Sequence, residues 1–404
     1  MKTIAIAWRF LWSRPLAAGL NVLLLSLGLA SLSFVLLVSH QIEKAFERDL
    51  AGIDVVVGAK GSPMQLILSG VFHLDVPTGN VPLAAVNELE KHPQVAKLIP
   101  ISLGDSYRGF RIVGSTPDYL AHYNAAFAQG AVWTAPLQAV IGAQAAAQTG
   151  LKVGDRFAGS HGLGGGGDIH DQTPYLVSGV LAASGSVLDR LVLTGLDSVW
   201  QVHEKMHEGD TALDAEDKQA LEEEREVTLA LIQYRTPLAA VTFPRFVNTT
   251  TEMQAAAPAL EITRLLNLIG VGTDVLRALA GVLLLTAGLS VFIALWSAVR
   301  ERRADLALLR MLGAPPRKVA ALLLCEALWL ALLATLIGVL AGQGLMALLG
   351  WLLQLEKSVL IGALAWPPGL WWVPVLAVGV ALLSALLPAY EAYRVPVFEL
   401  LQSR

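Results

Sequence analysis

The 404-residue chain has a single cysteine, Cys325, set inside an apolar run. No disulfide framework and no cysteine-based metal cluster can be built from it. Charge is also scarce: 15% of residues are Asp, Glu, Lys or Arg and 54% are hydrophobic, which with a positive mean hydropathy falls outside the balance of a soluble globular domain. A phosphate-binding loop is missing too. VVVGAKGSP, at 55–63, does not have the Walker spacing, and HGLGGGGDIHD, at 161–171, has no Lys-Ser or Lys-Thr after its glycines. Any ATP-driven work must therefore come from another polypeptide.

What is present is long apolar sequence in four runs, at about 17–38, 278–299, 319–349 and 370–387. A helix of about 20 residues covers the roughly 30 Å hydrocarbon core, so each run is a candidate membrane span. The first has an apolar core too long for a signal peptide, and no small-residue cleavage site follows it. The net charge of −4 averages two unlike regions, because residues 40–274 hold 27 acidic and 16 basic residues and leave 6 and 13 for the remainder. Lys2, Arg9 and Arg14 precede the first span. Arg300, Arg302, Arg303, Arg310, Arg317 and Lys318 join the second to the third, and Arg394 and Arg404 follow the fourth. The positive-inside tendency then places both termini and the Arg300 loop in the cytoplasm and residues 40–274 outside. Within the third span, Gly338 and Gly342 form a small-residue step suited to close helix packing. Glu326, about two turns into that span, calls for either a nearby arginine or a functional contact.

Between the second and third spans, Leu306, Leu309 and Leu312 recur at three-residue steps, with Leu308 and Met311 beside them, while Arg302, Arg303, Asp305 and Arg310 supply polar flanks, the pattern of a short amphipathic helix. Gly313 can close it with a left-handed cap, and Pro315 and Pro316 stop it. Such a helix either lies on anionic lipid or docks a cytoplasmic partner.

ADLALLRMLGA resembles the R-E-I-x-x-L-R-x-x-G-A signature of MacB/LolC/FtsX-type permeases of ABC transporters, through Asp305, Leu306, Leu309, Arg310, Gly313 and Ala314, with Ala304 replacing the usual arginine. PAYEAYRVPVFELL resembles the family's C-terminal motif through Pro388, Ala389, Ala392, Pro396, Glu399 and Leu401. AVIGAQAAAQTGLKVGDRF is similar to the periplasmic core of the family at Gly142, Leu151, Val153, Gly154 and Asp155. The resemblance implies a coupling helix at 306–313 gripped by a separate cytoplasmic ATPase that holds ATP and magnesium. It also implies a homodimer, a periplasmic adaptor or substrate-binding protein as a further partner, membrane lipid around the spans, and no nucleic acid. The chain itself is then a non-catalytic transport subunit.

Residues 40–274 alternate β-rich runs (IDVVVGA, RGFRIVGS, QAVIGA, PYLVSGVLA, RLVLTG, VTLALIQYR) with helical stretches such as LAAVNELEKH, and read as an α+β domain large enough to divide into two subdomains. GSPMQLILSGVFHLD is either inner core or a hydrophobic contact surface. VHEKMHE places His203, Glu204 and His207 in the H-E-x-x-H order of zinc peptidases, with Glu226 at a spacing suited to a third ligand. Seven of the thirteen residues at 214–226 are acidic, so that spacing discriminates little, and the segment reads as a solvated insertion. His161, His170 and Asp171 offer zinc-type ligands, against the plainer reading of a glycine hairpin.

The expectation is a bundle of four transmembrane helices with a large α+β extracytoplasmic domain inserted between helices one and two. It divides into 1–39, the cytoplasmic N-terminus and first span; 40–274, the periplasmic domain; 275–299, the second span; 300–318, the coupling helix and loop; 319–350, the third span; 351–369, a short external loop; 370–388, the fourth span; and 389–404, a cytoplasmic tail. The expected function is the inner-membrane permease subunit of an ABC transporter. A transmembrane regulator similar to the FtsX type and a membrane-anchored zinc peptidase are the alternatives.

Overall fold

The computed structural model describes residues 3–162, 170–207, 224–355 and 366–394. The chain divides into two compact units, one holding the long apolar helices and the other the segment Lys44–Asn267. It opens with a helix absent from the sequence expectation, α1 (Thr3–Leu11), followed by α2 (Pro15–Leu50). In α1, Ala7 and Leu11 are buried while Ile4 and Trp8 are exposed, as is Trp12 just beyond its end. Trp8 packs on Trp329 at 4.8 Å, and the Trp329 Nε1–H donates to the Ile4 carbonyl at 3.3 Å. Tryptophans on a short amphipathic helix beside a span are the mark of an interfacial element.

The segment 44–267 is built around one sheet. Its first half contains β1 (Val55–Ala59), α3 (Pro63–Gly70), β2 (Val81–Pro82), α4 (Leu83–Glu90), β3 (Val95–Tyr107) and β4 (Phe110–Ser115). There follow α5 (Pro117–His122), β5 (Phe127–Gly130), β6 (Gln138–Ile141), α6 (Ala143–Thr149), β7 (Arg156–Phe157), β8 (Ser160–His161) and β9 (Tyr175–Leu181). The last group is β10 (Leu191–Gly195), α7 (Leu196–His207), β11 (Glu226–Val227), β12 (Leu229–Tyr234), α8 (Ala239–Thr250) and β13 (Met253–Ala256). The strand order is β13-β1-β12-β3-β4-β10-β6-β9-β5, with β7 on β9 and β8 on β3; β2 and β11 pair separately. Pairing is antiparallel except for β4 with β10 and β6 with β9. Strand β9 alternates buried and half-buried residues, whereas β4, in the middle of the sheet, is buried throughout.

One expectation changes here, and one choice between readings is decided. The division into subdomains gives way to one continuous sheet, because β3 pairs with β12, β4 and β8 and ties the halves together. Lys97, Pro100 and Gly104 interrupt the apolar pattern of that strand and hide it from a reading of periodicity. GSPMQLILSGVFHLD is core: Leu66, Ile67, Val71 and Phe72 are buried in one cluster with Ile101, Tyr119 and Leu229.

The helical unit adds α9 (Pro258–Glu301), α10 (Arg303–Met311), α11 (Pro316–Leu355) and α12 (Trp372–Arg394). All four apolar runs lie in helices long and apolar enough to cross a membrane. Three of these, α2, α9 and α11, run well beyond the runs read from sequence. The unit boundaries at Glu43 and Asn267 fall inside α2 and α9. Packing in the bundle depends on small residues. Ala377, Ala381, Ala385, Ala389 and Ala392 line the buried face of α12. A methyl at Gly338 would come 2.8 Å from the Leu29 Cβ, and one at Gly342 would come 2.7 Å from the Ser33 Cβ, so both glycines let α11 approach α2 closely. Between α2 and α9 the Ser290 hydroxyl donates to Asn21 Oδ1 at 2.7 Å. The helix of the fourth apolar run continues past 388 to Arg394. Pro388 sits inside α12, and Ala389 and Ala392 are bundle core rather than tail.

Candidate functional site

The expected amphipathic helix is α10, separated from α9 by Arg302 alone. Asp305 lies in its first turn and Arg310 in its last, the polarity that suits a helix dipole. Its end is a Schellman cap. The Ala314 N–H donates to the Leu309 carbonyl at 3.0 Å, the Gly313 N–H to the Arg310 carbonyl at 3.0 Å, and Gly313 has a φ of +91°. A residue with a Cβ would be strained there.

The face that α10 presents differs from the stripe read off the sequence. Leu306 and Ala307 are buried, and Leu306 belongs to the bundle core. Leu309 and Arg310 are half-buried. The outward apolar residues are Leu308, 52% exposed, Met311, 50% exposed, and Leu312, 84% exposed. At about 100° per residue, a three-residue step drifts by roughly 60°, so Leu306, Leu309 and Leu312 rotate from the inside of the helix to the outside. Leu308, Met311 and Leu312, at i, i+3 and i+4, share the opposite face. Leu306 therefore anchors the helix and is unavailable to a partner, while Leu308 and Met311, outside the expected site, are accessible. The sequence shows both beside the stripe, and their i, i+3, i+4 spacing with Leu312 is the signal that puts them on one face.

Neighbouring arginines hold the helix in place. Arg302 Nη2 donates to the Phe10 carbonyl at 3.2 Å and to the Ser13 hydroxyl, and its guanidinium stacks 4.9 Å from the Phe10 ring. Arg303 pairs with Glu391 of α12 at 3.2 Å, and Arg14 with Glu301. The buried Glu326 lines a small cavity with Arg14, Asn21 and Arg302, the arginine neighbourhood its position called for. Of the C-terminal motif, Pro388 and Ala389 are described above; Pro396 and Glu399 lie outside the described residues.

In the sheet unit, His203 and His207 fall on α7, with side chains outside the described residues. Glu226 is on β11, where its carbonyl accepts from Trp200 Nε1 at 2.8 Å. Lys60 of VVVGAKGSP pairs with Glu252 at 3.3 Å. His161 and His170 converge, with the carboxylate coming from Asp105; Asp171 is exposed and outside the group. Asp105 of β3 faces His161 of β8 across the strand pair. Its Oδ1 lies 3.1 Å from His161 Nδ1 and its Oδ2 lies 3.5 Å from His170 Nε2.

Comparison with known proteins bears on the two units separately. The family model described as FtsX-like permease C-terminal matches residues 277–397, and that described as MacB-like periplasmic core domain matches residues 18–231. Among solved structures, the periplasmic region of MacB from Actinobacillus actinomycetemcomitans aligns at 11% identity over 54% of this chain and 96% of that one, with a TM-score of 0.35. The extracellular domain of the noncanonic ABC-type transporter YknZ from Gram-positive bacteria aligns at 11% identity over 50% of this chain and 98% of that one, with a TM-score of 0.31. A search of curated proteins returned no match.

Proposed function

The chain belongs to the family of ABC transporter permeases that join an FtsX-like membrane region to a MacB-like periplasmic core domain, and from that premise we propose that it is a non-catalytic inner-membrane subunit that transmits the work of a separate ATPase to its periplasmic domain. Both termini and α10 lie in the cytoplasm in this reading, as the arginines around α10 favour. Two copies of the chain pair with two copies of the ATPase. Nucleotide binding closes the ATPase dimer and displaces α10. The movement passes as a rigid-body shift through α2 and α9, whose residues belong to both units. The output is a rearrangement of the periplasmic domains that exports or extracts a substrate at the outer face of the membrane.

The observation that carries this reading is the construction of α10. One face is fastened into the bundle by Leu306 and Ala307, and the other leaves Leu308 and Met311 exposed beside Arg310. A helix fixed on one face and open on the other suits insertion into a partner's groove. Leu308→Asp or Met311→Asp is expected to release the ATPase from detergent-solubilised complex while the thermal midpoint of the chain stays near that of wild type. Retention of the ATPase by both variants would count against docking and leave α10 as a lipid-surface helix.

A further inference from the structure

The permease reading makes no use of the histidine cluster in the sheet unit, and its geometry points to a second activity. We propose that Asp105, His161 and His170 bind one divalent transition-metal ion, with Zn²⁺ the best match to the donors.

The donor set selects the class of ion. Two imidazoles and one carboxylate are ordinary zinc ligands, whereas calcium and magnesium take oxygen ligands throughout. The spacing fits as well. A tetrahedral ion about 2.0–2.1 Å from its ligands holds them roughly 3.3 Å apart; His161 Nδ1 lies 3.1 Å from Asp105 Oδ1 and His170 Nε2 3.5 Å from Asp105 Oδ2, and with one donor atom taken from each residue the three lie within 4.8 Å of one another. Three protein ligands leave a fourth position for water or an exogenous ligand.

Burial and backbone order argue in the same direction. The side chains of Asp105 and His170 are 3% and 4% exposed, while that of His161 is 37% exposed and gives the ion a route in from solvent. Both histidines are placed by backbone hydrogen bonds. The His170 N–H donates to the Gly159 carbonyl at 2.9 Å, and the Gly162 N–H donates to the Gly104 carbonyl at 3.0 Å, next to the Asp105–His161 register pair. The sequence alone pairs the two histidines with the wrong carboxylate, Asp171. Asp105 is 56 positions before His161 in the chain, and only the β3–β8 pairing brings it to them.

The test uses the full chain in detergent, stripped with chelator and titrated with Zn²⁺ by calorimetry. One ion per chain is expected. Loss of an outer-shell partner typically weakens a metal site about 10–100-fold, so His161→Gln and Asp105→Asn, which remove direct ligands, should cost at least that much. His161 is partly exposed, so its variant is expected to keep the wild-type circular dichroism and melting curve. Co²⁺ substitution should give the visible absorption of a four-coordinate site in wild type and not in His161→Gln. A double His203→Gln, His207→Gln variant should still bind one ion. The proposal is overturned if wild type takes up no stoichiometric ion, which would leave a carboxylate shared between two imidazoles. It is also overturned if His161→Gln binds as wild type does, or if binding disappears with His203 and His207. None of these results depends on the ATPase, so the metal site and the permease reading fail separately.

Discussion

His73 shows at residue scale how burial sets a titration. Its backbone takes a φ of +52°, its side chain is buried, and its Nε2 lies 2.9 Å from the Tyr119 hydroxyl. Desolvation, reinforced by the positive charges of Arg111 and Arg190, holds its pKa well below the usual 6.5. The folded state therefore binds fewer protons than the unfolded chain once the pH drops below about 6.5. The associated stability is fully present above that pH and is lost as the pH falls toward the folded value, at no more than about 1.4 kcal/mol per pH unit. Thermal midpoints of the full chain from pH 7.5 to 5.5 should decline. They should decline less in His73→Asn, since asparagine tolerates a positive φ. His122, also lowered chiefly by desolvation and then by Lys97, leaves some slope behind in the variant. An unchanged slope would show that His73 is not the group that titrates.

At the scale of elements, the glycines of α11 separate close packing from mere composition. Alanine in place of glycine in a helix gains about 1 kcal/mol from propensity. At Gly338 and Gly342 the added methyl meets α2 at 2.8 and 2.7 Å, and overpacking of this kind costs typically 1–3 kcal/mol. The clash should equal or exceed the gain, so Gly338→Ala and Gly342→Ala are expected to lower the melting temperature in detergent. At Gly344 a methyl meets no atom within 4 Å, and Gly344→Ala should be neutral or stabilising. The same logic divides α10: Leu306→Asp puts a charge into the bundle core and should destabilise the chain, whereas Leu308→Asp should not. Equal melting curves for these two variants would refute the face assignment.

For the whole molecule, the proposal predicts a sidedness and a dependence. A cysteine at position 310 in a Cys325→Ala background should react with impermeant reagent only from the cytoplasmic side. The purified chain should hydrolyse no ATP until its ATPase is added. Reaction from the periplasmic side would reverse the orientation, and ATPase activity of the chain alone would remove the need for a partner.

The spans, the strands β1, β4, β6, β9, β10 and β12 and the existence of α10 are legible in the sequence because each follows from a local pattern: about 20 apolar residues against a fixed hydrocarbon thickness, a short β-rich run bounded by turn residues, or a leucine repeat closed by Gly-Ala-Pro-Pro. Tertiary structure decided what depends on residues far apart. It selected Asp105 over Asp171, made β3 the strand that joins the sheet, drew Ala389 and Ala392 into the bundle core, and turned Leu308 and Met311 outward while Leu306 went in. The physical reason is the same in each case. Local propensity sets what a segment becomes, but strand register and helix rotation are set by the surface it packs against, and that surface is contributed by another part of the chain.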